Sequence, residues 1–305
     1  MSVCSKEAVD VKKHKIRKSY GDTVYTVVVY TIAIVLALLW LYPLIFVISA
    51  SFSSPESLLS GEVVLFPENF SLEAYKYIFK DDGILTGYKN TIFYSVVGTV
   101  YNMLLTICAA YPLSRQDLKG RNFLTVMITF TMFFGGGMIP TYLNLNSLGL
   151  LNKPAVMIIP AAISVTNFII MRNYFTHSVP GEVIESAYVE GASQFQILGK
   201  IVLPLSKPIL SVLSIYYLSG HWNAYFSALI YLKDEELMPL QIFLRRILIM
   251  GGMEGMSSGS TMTDSLIYES LKYGVIVVST LPMIIGYLLV QKSFKKGIMM
   301  GSLKG

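Results

Sequence analysis

The chain has 305 residues, 53% of them hydrophobic and 14% charged, with a mean hydropathy of +0.57. Soluble domains carry about a quarter charged residues, so this composition excludes an ordinary water-soluble globule and points to lipid as the solvent. The formal net charge of +5 does not imply a nucleic-acid partner, because most of the lysines flank apolar runs instead of forming a soluble basic face.

In chain order, a basic leader (residues 1–22) carries Lys6, Lys12, Lys13, Lys15, Arg17 and Lys18. The uncharged run from Thr23 to Pro55 is far longer than the apolar core of about 7–15 residues in a cleaved signal peptide, and reads as a first membrane span that stays. Crossing about 30 Å of hydrocarbon takes about 20 apolar residues, because a helix satisfies its own backbone there. Further uncharged intervals run from Asn90 to Ser114, Asn122 to Asn152, Pro154 to Met171, Pro208 to Leu232 and Tyr273 to Gln291. Lys153 alone separates the third interval from the fourth, and Arg172 stops the fourth. The fold class expected is an all-α integral membrane protein with six transmembrane helices over residues 23–292 and a tail over 293–305.

Lys and Arg are distributed unevenly between alternate loops. The leader, residues 115–121, residues 172–207 and the tail counted from Lys292 hold 16 of them, the other side 8. The positive-inside rule then puts both termini in the cytoplasm, and makes the loops 51–89 and 231–272 external. Within the second external loop, Pro239 to Met250 reads as a helix lying on the membrane surface, and Gly251 to Ser260 as a flexible segment. Cys4, in the leader, and Cys108, inside an apolar run, match no metal-ligand spacing and read as ordinary thiols.

The cytoplasmic loop 172–207, between spans four and five, is long, mixed in charge and apolar in places. Ser178 can cap a helix whose first turn accepts Pro180 and Glu182. Val183, Ala187 and Gly191 then recur at four-residue spacing, a face that narrows to small side chains and lets another surface approach. Gly191 is expected to end this helix, Ser193 to cap a second one, and Pro204 and Pro208 to lead into span five.

Glu185-Ser186-Ala187, followed by Gly191 and by Ile201-Val-Leu-Pro204, resembles the Glu-Ala-Ala signature loop of ABC importer permeases, with Ser186 where Ala is usual. The stretches Phe134–Tyr142, Leu148–Leu150, Gly220–Asn223, Pro239–Gln241, Leu244–Arg246, Gln291–Gly297 and Gly301–Gly305 are similar to the carbohydrate (maltose-type) branch. Within it they resemble the complex-carbohydrate, lipoprotein-type permeases of Gram-positive bacteria. The resemblance implies a permease subunit of a binding-protein-dependent importer of a sugar or oligosaccharide, in the bacterial cell membrane. Its implied partners are a second homologous permease subunit, two ATPase subunits and an extracellular solute-binding lipoprotein. It also implies that loop 172–207 is a pair of coupling helices seated in a groove of the ATPase, with Glu182, Glu185, Ser186, Ala187, Glu190, Gly191, Ile201 and Pro204 as the coupling residues.

No Gly-x-x-x-x-Gly-Lys-Ser/Thr stretch is present, since Gly199-Lys200 is followed by Ile201. ATP and Mg are therefore expected on the partner ATPase, with no cofactor, catalytic residue or metal ligand in this chain. The candidate cargo path is Asn102, His221, Trp222, Asn223 and Tyr225. Asn102 and Asn167 lie inside spans, where an amide serves either a helix-to-helix hydrogen bond or the cargo. His221-Trp222-Asn223, with Tyr216, Tyr217, Tyr225 and Phe226 nearby, offers the aromatic faces and amides a sugar path needs, and equally fits an interfacial aromatic belt. Gly135 to Gly137 reads as a hinge, as a site of tight packing or as a helix end. A permease for a non-sugar solute and a secondary transporter are the alternatives. The second would more often show intramembrane charges, and these spans hold no Asp, Glu, Lys or Arg.

Overall fold

A computed structural model describes residues 19–160, 162–254 and 262–301, with no strand among the described residues. The basic leader up to Lys18, with Cys4, residues 255–260 of the glycine- and serine-rich segment, and residues 302–305 of the tail lie outside the described residues.

Helix α1 (Tyr20–Ser51) is followed by two short helices, α2 (Pro55–Leu59) and α3 (Glu73–Ile78). The long α4 (Asp82–Ser114) starts where the Asp81 carboxylate accepts the Ile84 N–H at 3.0 Å, satisfying one of the free donors of a first turn. Next come α5 (Arg121–Phe130), α6 (Met138–Ser147), a 3-10 turn (Pro154–Met157) and α7 (Val165–Ser178). The short elements that follow are α8 (Gly181–Val189), α9 (Gln194–Ile197), a π-helical turn (Leu198–Val202) and α10 (Leu203–Leu205). The chain ends in α11 (Lys207–Trp222), α12 (Tyr225–Tyr231), α13 (Leu240–Glu254) and α14 (Met262–Gly301).

Among the described residues, three helices are long and apolar enough to cross a membrane: α1, α4 and the part of α14 from Tyr268 to Leu289. Gln194–Leu205 and Lys207–Trp222 qualify together as a fourth, bent by 83°. The remaining uncharged intervals are broken. The third splits into α5 and α6 around Gly137, whose φ of +87° suits a residue without a side chain, so the triple glycine is a helix end. The fourth is a 3-10 turn and an irregular stretch before α7 begins at Val165, and α7 runs on past Arg172 to Ser178. The fifth is interrupted at Asn223.

Helix α4 packs against α7, α11, α13 and α14 bears on α11 and α13 in turn. Glycines on α4 set the closest approaches: a Cβ at Gly87 would lie 2.8 Å from Phe243 Cδ2, and one at Gly98 would lie 2.5 Å from His221 Nε2. Helix α13, expected to lie on the membrane surface, packs one face on the protein: Leu240, Phe243 and Leu244 are buried against α4 and α14, and Ile242 in the cluster of Tyr94 and Leu232. The Leu240 N–H donates to Thr91 Oγ1 at 2.8 Å, while Arg245 and Arg246 stay exposed. By contrast α1 keeps its apolar side chains outside, Trp40 being 75% exposed, and leans on α14 near its end through the edge-on pair Phe46–Tyr273.

Candidate functional site

A cavity of about 500 Å3 lies beside α4, between Pro160, Ile163 and Ser164 and helices α7, α11 and α12. Non-helical backbone at membrane depth is tolerated where it lines such a cavity. Asn102, Ser164, Asn167, Tyr216, Tyr217 and His221 face it, with Ser227 and Tyr231 at the α12 side, and none of its lining residues is Asp, Glu, Lys or Arg. Local chemistry holds these groups in place. Ser164 caps α7 by accepting the Asn167 N–H. The Tyr217 hydroxyl accepts the Ser164 N–H at 3.1 Å and meets Thr106 Oγ1 at 2.7 Å, tying α11 to both α7 and α4. The His221 imidazole is hydrogen-bonded to the Met157 backbone and is otherwise pressed onto Gly98.

Of the sequence-level path, Asn102 and His221 meet here, and Asn167 joins them. Trp222, Asn223 and Tyr225 do not line this cavity. Trp222 is buried on the opposite side of α11, where its indole N–H donates to the Ser279 carbonyl at 3.1 Å and its ring packs edge-on to Tyr88. Asn223 is exposed and bonds back to the Ser219 carbonyl at 2.9 Å, while Tyr225 is exposed beneath the Arg245 guanidinium. Ser95, Gly98, Thr99 and Ser164 were not singled out from the sequence, whereas Tyr216 and Tyr217 were named among the aromatics around His221. The signal for the α4 residues was there, because Ser95, Thr99, Asn102 and Thr106 repeat at helical spacing along an otherwise apolar run.

The second cluster is the corner formed by α8 and α9. Pro180, not Ser178, precedes the first residue of α8, and Ser178 instead closes α7. A residue before proline is driven to extended backbone, and Val179 is extended at φ −99°, ψ 115°. Gly191 ends α8 with φ +80°, and Ser193 caps α9 in a reciprocal box with Gln196. The expected narrow face is turned otherwise. Ile184 and Ala187 point into the chain's own core, and a Cβ on Gly191 would meet nothing within 4 Å. Glu182, Glu185, Ser186, Glu190 and Gly191 are exposed, Ile201 is half-buried in the π-helical turn, and Pro204 is exposed in α10. Two apolar side chains stand out beside them: Val189 is 90% and Phe195 87% exposed. Glu185 also lines a cavity of about 480 Å3 with Arg115 and Tyr188. Gly199-Lys200 sits within the helical turn and offers no loop to wrap a phosphate.

The family model for the binding-protein-dependent transport system inner membrane component matches residues 82–298. The polygalacturonan/rhamnogalacturonan transport system permease protein YtcP of Bacillus subtilis (strain 168) is 41% identical over 289 residues, 93% of this chain and 99% of that protein. Protein LplC of the same organism is 40% identical over 264 residues, covering 86% of this chain and 89% of its own. Among solved structures, a chain of a bacterial ABC transporter involved in the import of the acidic polysaccharide alginate is 36% identical, with a TM-score of 0.81 over 91% of this chain and 99% of that one.

Proposed function

This chain belongs to the family of binding-protein-dependent transport system inner membrane components, and on that premise we propose that it is the permease subunit of an ABC importer for oligosaccharides. The observation that carries the cargo class is the uncharged, hydroxyl-, amide- and tyrosine-lined cavity at membrane depth, read beside relatives named for polygalacturonan, rhamnogalacturonan and alginate. Tyrosine faces bury the apolar faces of sugar rings, and amides and hydroxyls exchange hydrogen bonds with ring hydroxyls. The chain is a multi-pass membrane protein. Its six spans are α1, α4, the broken α5–α6 and 154–178 stretches, α11–α12 and α14, with both termini cytoplasmic on the strength of the Lys and Arg asymmetry.

The ATP-driven step belongs to partner subunits, which hold ATP and Mg. A permease uses that energy through a docked rigid element. Helices α8 and α9 suit the role: exposed Val189 and Phe195 offer apolar contact, and Glu182, Glu185 and Glu190 ring them with charge. The full machine comprises a second, homologous permease subunit, two ATPase subunits and an extracellular solute-binding lipoprotein. Apolar α1 faces lipid or the second permease.

Reconstitution of these subunits in proteoliposomes tests the reading. Uptake of labelled oligogalacturonides or a neutral oligosaccharide is expected to require ATP and the loaded lipoprotein, to stop with vanadate, and to survive a protonophore. Uptake that follows an ion gradient and ignores vanadate contradicts it and favours a secondary transporter.

A further inference from the structure

The contact between α4 and α11 beside the cavity hides polar groups. Gly98 lies directly under the His221 ring, so close that any Cβ there would collide with Nε2, Cε1 and Cδ2. Ser95, Gly98, Thr99 and Asn102 follow one another at three- and four-residue spacing and share one face of α4. On that face Ser95 Oγ and Thr99 Oγ1 are shut off from solvent with no hydrogen-bond partner among the described residues, and across the contact the same is true of His221 Nε2. A hydroxyl in an apolar helix ordinarily turns to the carbonyl four residues back, as Thr106 does to Asn102 at 2.6 Å. Orphaned buried polar atoms are rare and destabilising. Helical spacing sets Ser95 and Thr99 on the face of Gly98, so three such atoms fall at or beside one glycine-mediated contact.

We infer that this contact is a closed subsite for saccharide hydroxyls, which joins the cavity when α11 moves off Gly98. The inference rests on the oligosaccharide-importer reading above. His221 Nε2 can donate or accept according to its tautomer, and Ser95 and Thr99 can each donate and accept. No member of the set carries a charge, so the subsite takes ring hydroxyls; an unpaired carboxylate buried there would lack a counter-charge. Gly98 is the residue that lets the imidazole close over the hydroxyls between transport events.

The test uses the whole importer in proteoliposomes, with Cys4 and Cys108 replaced and Ser95→Cys or Thr99→Cys introduced. Alkylation by a maleimide is measured at rest, and after trapping with ATP and vanadate, with and without saturating oligosaccharide. Labelling at both positions is expected to be at least about tenfold faster in the trapped than in the resting complex, and to be slowed severalfold by the oligosaccharide. No labelling in any state overturns the inference. Labelling that sugar does not slow means that only water enters, which also overturns the saccharide subsite. The importer reading is judged separately, by ATP-driven uptake in the unaltered complex. If the cysteine variants fail to assemble, Ser95→Ala and Thr99→Ala decide: a raised KM for uptake with unchanged affinity of the lipoprotein for sugar is expected, and an unchanged KM overturns the proposal.

Discussion

The two ends of α4 meet the rest of the chain in opposite ways. At its C-terminal end the links are many: Tyr111 donates to Gln194 Oε1 at 3.0 Å, Arg172 Nε donates to the Leu113 carbonyl at 2.8 Å, and the Arg115 guanidinium lies over the Tyr188 ring, its Nε ion-paired with Asp117 at 3.3 Å though without a hydrogen bond. Gln194 in turn bonds Tyr188, so α4, α7, α8 and α9 form one linked network. Near mid-membrane the same helix faces α11 across Gly98 with hydroxyls unpaired. Satisfied polar networks stiffen, and unsatisfied ones mark where a fold is not at rest. A stiff corner that receives motion and a mid-membrane contact ready to part are what a coupled permease requires.

Breaking the stiff end is expected to have the largest effect. Gly191 holds a left-handed backbone with open space around it, so Gly191→Val acts by strain and not by collision. Holding a β-branched residue there costs about 1–3 kcal/mol, and re-angling α9 against α8 is expected to lower uptake by more than about tenfold while membrane insertion and pairing persist. Gly191→Asn, which tolerates this backbone, is expected to retain most of the uptake. Equal loss in both variants would mean that the site needs a missing side chain instead of a left-handed turn.

Phe195→Asp comes next. Its side chain is almost wholly exposed, so the thermal stability of the subunit is expected to hold within about 0.5 kcal/mol, while cargo-stimulated ATP hydrolysis falls by roughly tenfold, the effect of losing about 1.4 kcal/mol of docking. Unchanged stimulation would remove α9 from the docking surface.

At the mid-membrane contact, Gly98→Ala forces the His221 ring aside, and overpacking of this kind costs about 1–3 kcal/mol. Adding His221→Ala is expected to restore subunit stability, a coupling visible in a double-mutant cycle. Additive effects would show that the two residues do not meet. The smallest effect belongs to Trp222→Phe, which removes one hydrogen bond to Ser279 worth about 1 kcal/mol. It is expected to lower the thermal midpoint slightly and leave the KM for cargo unchanged.

The contrast also separates what the residues announce from what only packing decides. Family, helical class, membrane location and the pair of short helices α8 and α9 were all legible, because apolar length, Gly191, Ser193 and the Glu185–Pro204 spacing are local signals. Trp222 lies off the cavity for a geometric reason: neighbours on a helix with 3.6 residues per turn point about 100° apart, so His221 enters the cavity as Trp222 turns to α14. The Gly98–His221 contact joins distant parts of the chain, and no local pattern predicts it. Absence of charge over 122–152 or 208–232 measured hydropathy and not helix continuity, so the breaks at Gly137 and Asn223 stayed hidden. Pro180 was legible in principle, since the rule for residues preceding proline argues against a cap at Ser178.

The central claim, that the α8–α9 corner seats in the ATPase, is tested most directly by cross-linking. In a chain freed of Cys4 and Cys108, Val189→Cys is expected to cross-link to the ATPase subunit in the assembled complex through a short bifunctional thiol–amine reagent, with a yield that changes between the resting and vanadate-trapped states. Glu62→Cys, in the loop assigned to the outside, is expected to give none. Normal ATP-driven uptake by the Val189→Cys complex with no cross-link to the ATPase in either state would contradict the account.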